Sequence, residues 1–261
     1  MTEDNKKIES LISAGADIAG AAVGSALGFI AGGPATAAGA GVVGVGVTRV
    51  LRDVAVRFLS GRETKRVGAT AAVAISSIKE RLDHGEKLRD DEFFDAKGGQ
   101  RSSADEIFEG TLLAARNTHE EKKAQYLGNL FANVAFDATC LPNEANYQIH
   151  VAESLTYAQF VLLQLFSEGD NSKNLRTTAY GAGAQVHYAT ISLLHSIHEL
   201  CDRNLVVMQK AQEANHTIVL GINLICPADL KLTVGGRRLH TLLGLSAIPQ
   251  QEIDDIAQGL R

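Results

Sequence analysis

Tryptophan is absent from this chain of 261 residues, proline occurs four times and cysteine three times. Three thiols cannot complete a disulfide framework, and a chain of this length can bury a substantial core without one. A basic start followed by an apolar stretch and a small-residue cleavage site is also missing, because Glu3, Asp4, Lys6 and Lys7 come first. Secretion is therefore not expected, and reduced thiols in the cytoplasm are. A positive balance is lacking too: the formal net charge is -5, which argues against a general nucleic-acid binder. No Walker, Gly-x-Ser-x-Gly or zincin pattern occurs. No reaction class is indicated, and the chain reads as a non-enzyme without a cofactor.

What the chain has in excess is glycine, 25 residues in a sequence that otherwise reads as helical. Ile18 to Thr48 runs uncharged between Asp17 and Arg49, long enough to cross a bilayer once. Within it Gly20, Gly24, Gly28 and Gly32 recur every four residues. That spacing puts them on one helical face, with no side chains to hold a neighbouring helix away, and makes a glycine zipper suited to helix packing or oligomerisation. Gly32-Gly33-Pro34 interrupts the pattern, so two helices are expected, about Ile8 to Ala31 and about Ala35 to Leu59. Each uncharged arm is about fifteen residues, roughly 22 Å at 1.5 Å per residue, against a hydrocarbon core of about 30 Å. Alanine and glycine also contribute little transfer free energy. A hairpin of this composition is soluble when packed and suits insertion only as an assembly.

Immediately beyond, Arg49, Arg52, Arg57, Arg62, Lys65 and Arg66 outnumber Asp53 and Glu63. Such a basic flank suits a lipid-facing patch on an anionic membrane. The competing reading is a soluble hairpin packed through its glycines, with the arginines solvated.

The rest of the chain is patterned as ordinary helices. Val67, Ala71, Ala74, Ile75, Ile78 and Leu82 follow helical spacing up to Gly85. Ser103 with Glu106 and Thr118 with Glu121 match capping boxes, predicting two further helix starts. Val151 to Phe166 predicts an amphipathic helix, Lys173 to Tyr180 a short helical segment, and Ala189 to Asn204 a clearer helix. Leu205 to Met208 and Thr217 to Ile225 read as strands, followed by Leu230 to Thr233 and a helix from about Gly236 to Leu243. That order is winged-helix-like. Seven basic residues balance seven acidic ones between His150 and Leu245, a poor phosphate surface, so a protein partner is favoured over DNA.

Three constellations invite chemistry and are better read without it. His195, His198 and Cys201 lie within seven residues but do not converge on one ion. Cys140 and Cys226 read as small buried side chains. Asp90, Asp91, Glu92 and Asp95 lack the alternating ligands of a calcium loop and read as a solvated charge run. No catalytic or metal residue is assigned.

Glu106-Ile107-Phe108-Glu109-Gly110, Glu120-Glu121-Lys122-Lys123, Leu127-Gly128-Asn129-Leu130-Phe131-Ala132-Asn133 and Leu155-Thr156-Tyr157-Ala158-Gln159 span the middle of the chain. This stretch resembles the helical core of uncharacterised bacterial proteins near the abortive-infection alpha group. The resemblance implies a bacterial protein linked to phage defence, and carries over no catalytic residue.

The expected architecture is mainly α. It comprises a glycine-zipper helical hairpin with its basic flank over 1–66, a helical region over 67–149, and a winged-helix-like α+β module with a C-terminal helix over 150–261. The expected function is a defence-type or stress-type interaction protein that forms a homo-oligomer, associates with an anionic membrane surface and disrupts the bilayer when triggered. It would meet a protein partner of unknown identity and reside in the cytoplasm, peripheral or integral at the inner membrane. The alternative is a soluble helical regulator whose winged helix binds a protein partner or DNA.

Overall fold

The computed structural model describes residues 60–96, 98, 101–168, 173–181, 185–209 and 221–261. The expected glycine-zipper hairpin, with Gly20, Gly24, Gly28, Gly32, Arg49, Arg52 and Arg57, lies outside the described residues. Within them the protein is mainly helical, with a single small two-stranded sheet. The described residues divide into two compact units, one up to Ser154 and one from Leu155 to Arg261.

The first unit contains α1 (Gly61–Asp83), α2 (Ser103–Asn117), α3 (Lys123–Val134) and α4 (Pro142–Ser154). The predicted stripe on α1 is its core face: Val67, Ala71, Ala74, Ile75 and Ile78 are all buried. This helix begins earlier than the stripe, because Ser60 and Glu63 form a reciprocal capping box at its start. It packs most extensively against α3. The approach is close because Gly128 of α3 faces Thr70 and Val73, where a Cβ would come within 2.7 Å of the Thr70 carbonyl oxygen. The Thr70 hydroxyl donates to the Ala124 carbonyl at 3.0 Å along the same seam.

Two of the expected helix starts shift. Ser102 rather than Ser103 caps α2, accepting from the Asp105 amide at 3.0 Å. Thr118 and Glu121 do not open α3, which begins at Lys123 without a side-chain cap. Residues 118–122 stay in a loop instead. Nor is Val151 to Phe166 one helix. It is broken after Ser154, because Thr156 and Gln159 form a capping box that starts a new helix at Tyr157.

Three buried cations tie this unit together, each at the C-terminal end of a different helix, where backbone carbonyls lack intrahelical partners. Arg66 donates from Nε to the Ala115 carbonyl at 3.2 Å and from Nη2 to that of Arg116 at 2.9 Å, closing α2. Arg89 donates from Nη1 to the Val134 and Cys140 carbonyls at 3.2 and 2.8 Å, beyond α3, and lies over the Phe93 ring. Lys123 donates from Nζ to the Glu153 carbonyl at 2.7 Å near the end of α4. Burial pulls the Lys123 ammonium below its usual value, against the pull of Glu120 and Glu153. Arg89→Met is expected to destabilise the unit by about 3 kcal/mol, since it removes the charged donor from the Cys140 carbonyl, leaves the Val134 carbonyl with the Asp137 amide alone, and takes from Asp91 its forked partner. Denaturant unfolding of the full chain reads this. A loss below about 1 kcal/mol would mean that water replaces the guanidinium.

The second unit contains α5 (Tyr157–Ser167), α6 (Tyr188–Asp202), β1 (Val206–Met208), β2 (Leu230–Leu232), α7 (Val234–Leu243) and α8 (Gln250–Gln258). Its centre is α5, whose Phe160, Val161, Leu162, Leu163, Leu165 and Phe166 are all buried. The strands run antiparallel, pairing Val206 with Leu232 and Met208 with Leu230. Two expectations are corrected here. Lys173 to Tyr180 is not helical; it is an irregular segment, with the Arg176 amide donating to the Leu260 carbonyl and its own carbonyl accepting from the Ala228 amide. The described part of the expected strand Thr217 to Ile225 contains a 3-10 turn at Ile222–Leu224, and the partner of β1 is Leu230–Leu232 instead.

His240 on α7 is half-buried, with Nε2 only 2.6 Å from Oε1 of Gln164 on α5. Burial lowers its imidazole from the usual 6.5. As pH falls through that value the unfolded chain takes up the proton first, so stability is lost on acidification and regained above it. His240→Gln is expected to flatten the acid side of the stability curve, read as the urea midpoint on both sides of 6.5. A slope equal to that of the wild type would assign the loss to another group.

Candidate functional site

The N-terminus of α1 meets the loop between α2 and α3. Ser60 adopts an extended conformation there and accepts from the Glu63 amide at 3.3 Å, while its own amide donates to Oε2 of Glu63 at 2.6 Å. Between this end and the loop opens a cleft of about 570 Å³, lined by Ser60, Arg62, Glu63, Arg66, Arg116, Asn117, Thr118, His119 and Glu121. Its position follows from the sequence on both sides. The Ser60 box fixes where α1 starts, and the late start of α3 leaves 118–122 outside any helix.

Three guanidiniums face two carboxylates in this cleft. Arg66 is nine-tenths buried, and its hydrogen bonds go to backbone carbonyls rather than to a carboxylate. Arg116 spends Nε and Nη2 on the neighbouring Asn117 side chain, at 3.2 and 3.1 Å. Arg62 is exposed and has no ion-pair partner among the described residues. Glu63 is already engaged: hydrogen bonds from Ser60, ahead of the charges of Arg116 and Arg66, hold its carboxyl below the usual range. The cleft therefore carries a net positive charge even with His119 neutral.

The basic flank read from the sequence thus splits where it is described. Arg62 and Lys65 point to solvent, whereas Arg66 turns inward to close α2. Arg116 and His119 were not singled out by the sequence reading. Their one local signal, Thr118 with Glu121, was read as a helix start and instead marks the loop that brings them to α1.

In the second unit, α6 exposes one stripe, Tyr188, Ser192, His195, Glu199, Asp202 and Arg203, and buries Leu194, Ile197 and Leu200. Two carboxylates and one guanidinium on that stripe make a poor surface for phosphate. His195 faces solvent, His198 Nδ1 lies 3.0 Å from Asp202, and burial pushes the Cys201 thiol up to about 11. Among the described residues no group of three or more His, Cys, Asp and Glu side chains is placed to hold a metal ion. Likewise, no described helix is long and apolar enough to cross a membrane. Asp90, Asp91, Glu92 and Asp95 are exposed, and Arg89 holds the Asp91 carboxyl below its usual value.

No known protein family, no curated protein and no solved structure matches the chain.

Proposed function

We propose that the protein is a bacterial defence-type interaction protein that oligomerises through its glycine-zipper hairpin and associates with an anionic membrane, disrupting the bilayer when triggered. The observation that carries this reading is the cationic cleft at the start of α1. The basic run from Arg49 to Lys65 leads straight into a folded surface where Arg62 is joined by Arg116 and His119. Juxtamembrane cations each add roughly 1 kcal/mol of attraction to anionic lipid. The buried Arg66 serves the same arrangement differently, by fixing α1 against α2. In this reading the two helical units are the soluble body from which the hairpin is released.

Fractionation of cells expressing the full chain, with a carbonate wash, tests the proposal at rest and under phage challenge. The protein is expected in the washed membrane pellet on challenge. Recovery wholly in the soluble fraction under both conditions overturns the reading.

A second reading is favoured by α6 and the sheet beside it. The order α5, α6, β1, β2, α7 with one exposed polar stripe on α6 suits a winged-helix-like module that docks a protein partner. The two carboxylates against one guanidinium on that stripe disfavour DNA, and an electrophoretic shift that weakens with salt would reverse that preference.

A further inference from the structure

The cleft beside α1 has a use of its own beyond general attraction to a charged surface. Its cations come from two places far apart in sequence, Arg62 on the first turn of α1 and Arg116 with His119 after α2. A basic run on one segment needs only sequence, whereas this convergence needs the fold. The α1 helix terminus is not the attraction, because the capping box already occupies the Glu63 amide. What faces the opening are guanidiniums, the groups whose planar forks match phosphate oxygens.

We propose that this cleft is a recognition site for a phosphate group, held by Arg62 and Arg116 with His119 as a further donor. The phosphate belongs to an anionic lipid headgroup or to a soluble phosphate ester, and the lipid source rests on the membrane reading above. Arg66 is the floor of the site. Its guanidinium contributes positive charge from below while its donors stay on the Ala115 and Arg116 carbonyls. Asn117 is held from the opposite side, its amide donating to Glu153 at 2.8 Å, which steadies the oxygen that Arg116 grips. Arg116 is therefore positioned through Asn117, which leaves Nη1 outside these two bonds. A phosphate there would meet three guanidiniums offset only in part by Glu63 and Glu121, neither of which is ion-paired with Arg62 or Arg116 among the described residues.

The test uses the full chain and the double variant Arg62→Gln with Arg116→Gln. Binding is measured to phosphatidylcholine vesicles with and without phosphatidic acid, and separately to inorganic phosphate by calorimetry. Loss of the two cations is expected to weaken binding to the acidic vesicles about thirtyfold, with unfolding unchanged. Arg62→Lys with Arg116→Lys, which keeps the charge, should recover most of it. Lys87→Gln, at an exposed cation that does not line the cleft, should bind as the wild type does.

If the double variant loses inorganic phosphate but keeps vesicle binding, the site stands and its ligand is a soluble phosphate ester. Equal affinity of wild type and double variant in both assays overturns the site and leaves the membrane reading intact. A wild type that binds no vesicle overturns the membrane reading, and the phosphate titration alone then decides the site. Should the glutamine variant unfold, the lysine variant decides: lysine binding at the wild-type level supports the site, and a folded lysine variant without binding overturns it.

Discussion

Gly236→Ala is expected to unfold the second unit, although alanine is the better helix former by about 1 kcal/mol. The reason is the distance between α7 and the chain that enters β1. A Cβ at Gly236 would fall far inside van der Waals contact distance of the Leu205 carbonyl oxygen and within 2.9 Å of its carbonyl carbon. That oxygen is fixed backbone, and it accepts from the Thr233 amide at 3.0 Å. Thr233 is held there too, donating from its hydroxyl to the Asn204 carbonyl at 2.6 Å and accepting from the Gly236 amide at 2.9 Å. To make room, α7 must lift from this junction and lose the cap with it. Overpacking and the broken hydrogen bonds together cost about 3–5 kcal/mol, a large share of a domain's total. Gly235→Ala is the internal control, since a Cβ there meets nothing nearer than 3.7 Å. It should be neutral or slightly stabilising. Thermal melting and limited proteolysis of the two variants read the difference, and a Gly236→Ala curve that overlays the Gly235→Ala curve would refute the steric argument.

The same contrast shows what was legible beforehand. Val67, Ala71, Ala74, Ile75 and Ile78 could be read as a core face because helical periodicity is a local signal. Capping motifs are local as well but short, so spacing alone misleads. Thr118 with Glu121 fits a box and opens no helix, whereas Thr156 with Gln159 closes a real one inside an apolar run that reads as continuous. Strand pairing was half legible: Val206–Met208 stands out by its β-branched residues, but its partner is chosen by tertiary packing more than twenty residues on. The fates of Arg66, Arg89 and Lys123 were not legible at all. Each is buried by carbonyls at helix ends 30 to 51 residues away, and nothing next to a basic residue in sequence announces such an acceptor. Arg62 and Lys65, four and one positions before Arg66, stay exposed because the helix turns them away from α2. For the cleft, the sequence supplied the α1 side and could not supply the α2–α3 loop that completes it.

On the proposed membrane function, replacing both Gly24 and Gly28 with leucine is expected to keep the protein out of carbonate-washed membranes and to prevent higher oligomers, and the sign of the effect carries the information. Leucine is far more apolar than glycine, so if the segment between Asp17 and Arg49 met the bilayer through bulk hydrophobicity, the double variant would be retained more strongly. If it acts through close helix approach, two isobutyl groups on the shared face of Gly20, Gly24, Gly28 and Gly32 hold the neighbouring helix off, and assembly fails despite the added apolar surface. On the proposed function each arm of the expected hairpin has too few uncharged residues to span comfortably by itself, so loss of assembly would be loss of stable membrane contact. The chain uses glycine in this way where it is described, since Gly128 lets α3 approach the α1 backbone to a distance no side chain would permit. Gly24→Ala with Gly28→Ala should fall between wild type and the leucine variant, because a methyl group widens the seam without closing it. Cross-linking in membranes and carbonate fractionation give the two readouts. Equal or greater retention of the leucine variant, with its oligomers intact, would mean that the four glycines are not the packing face.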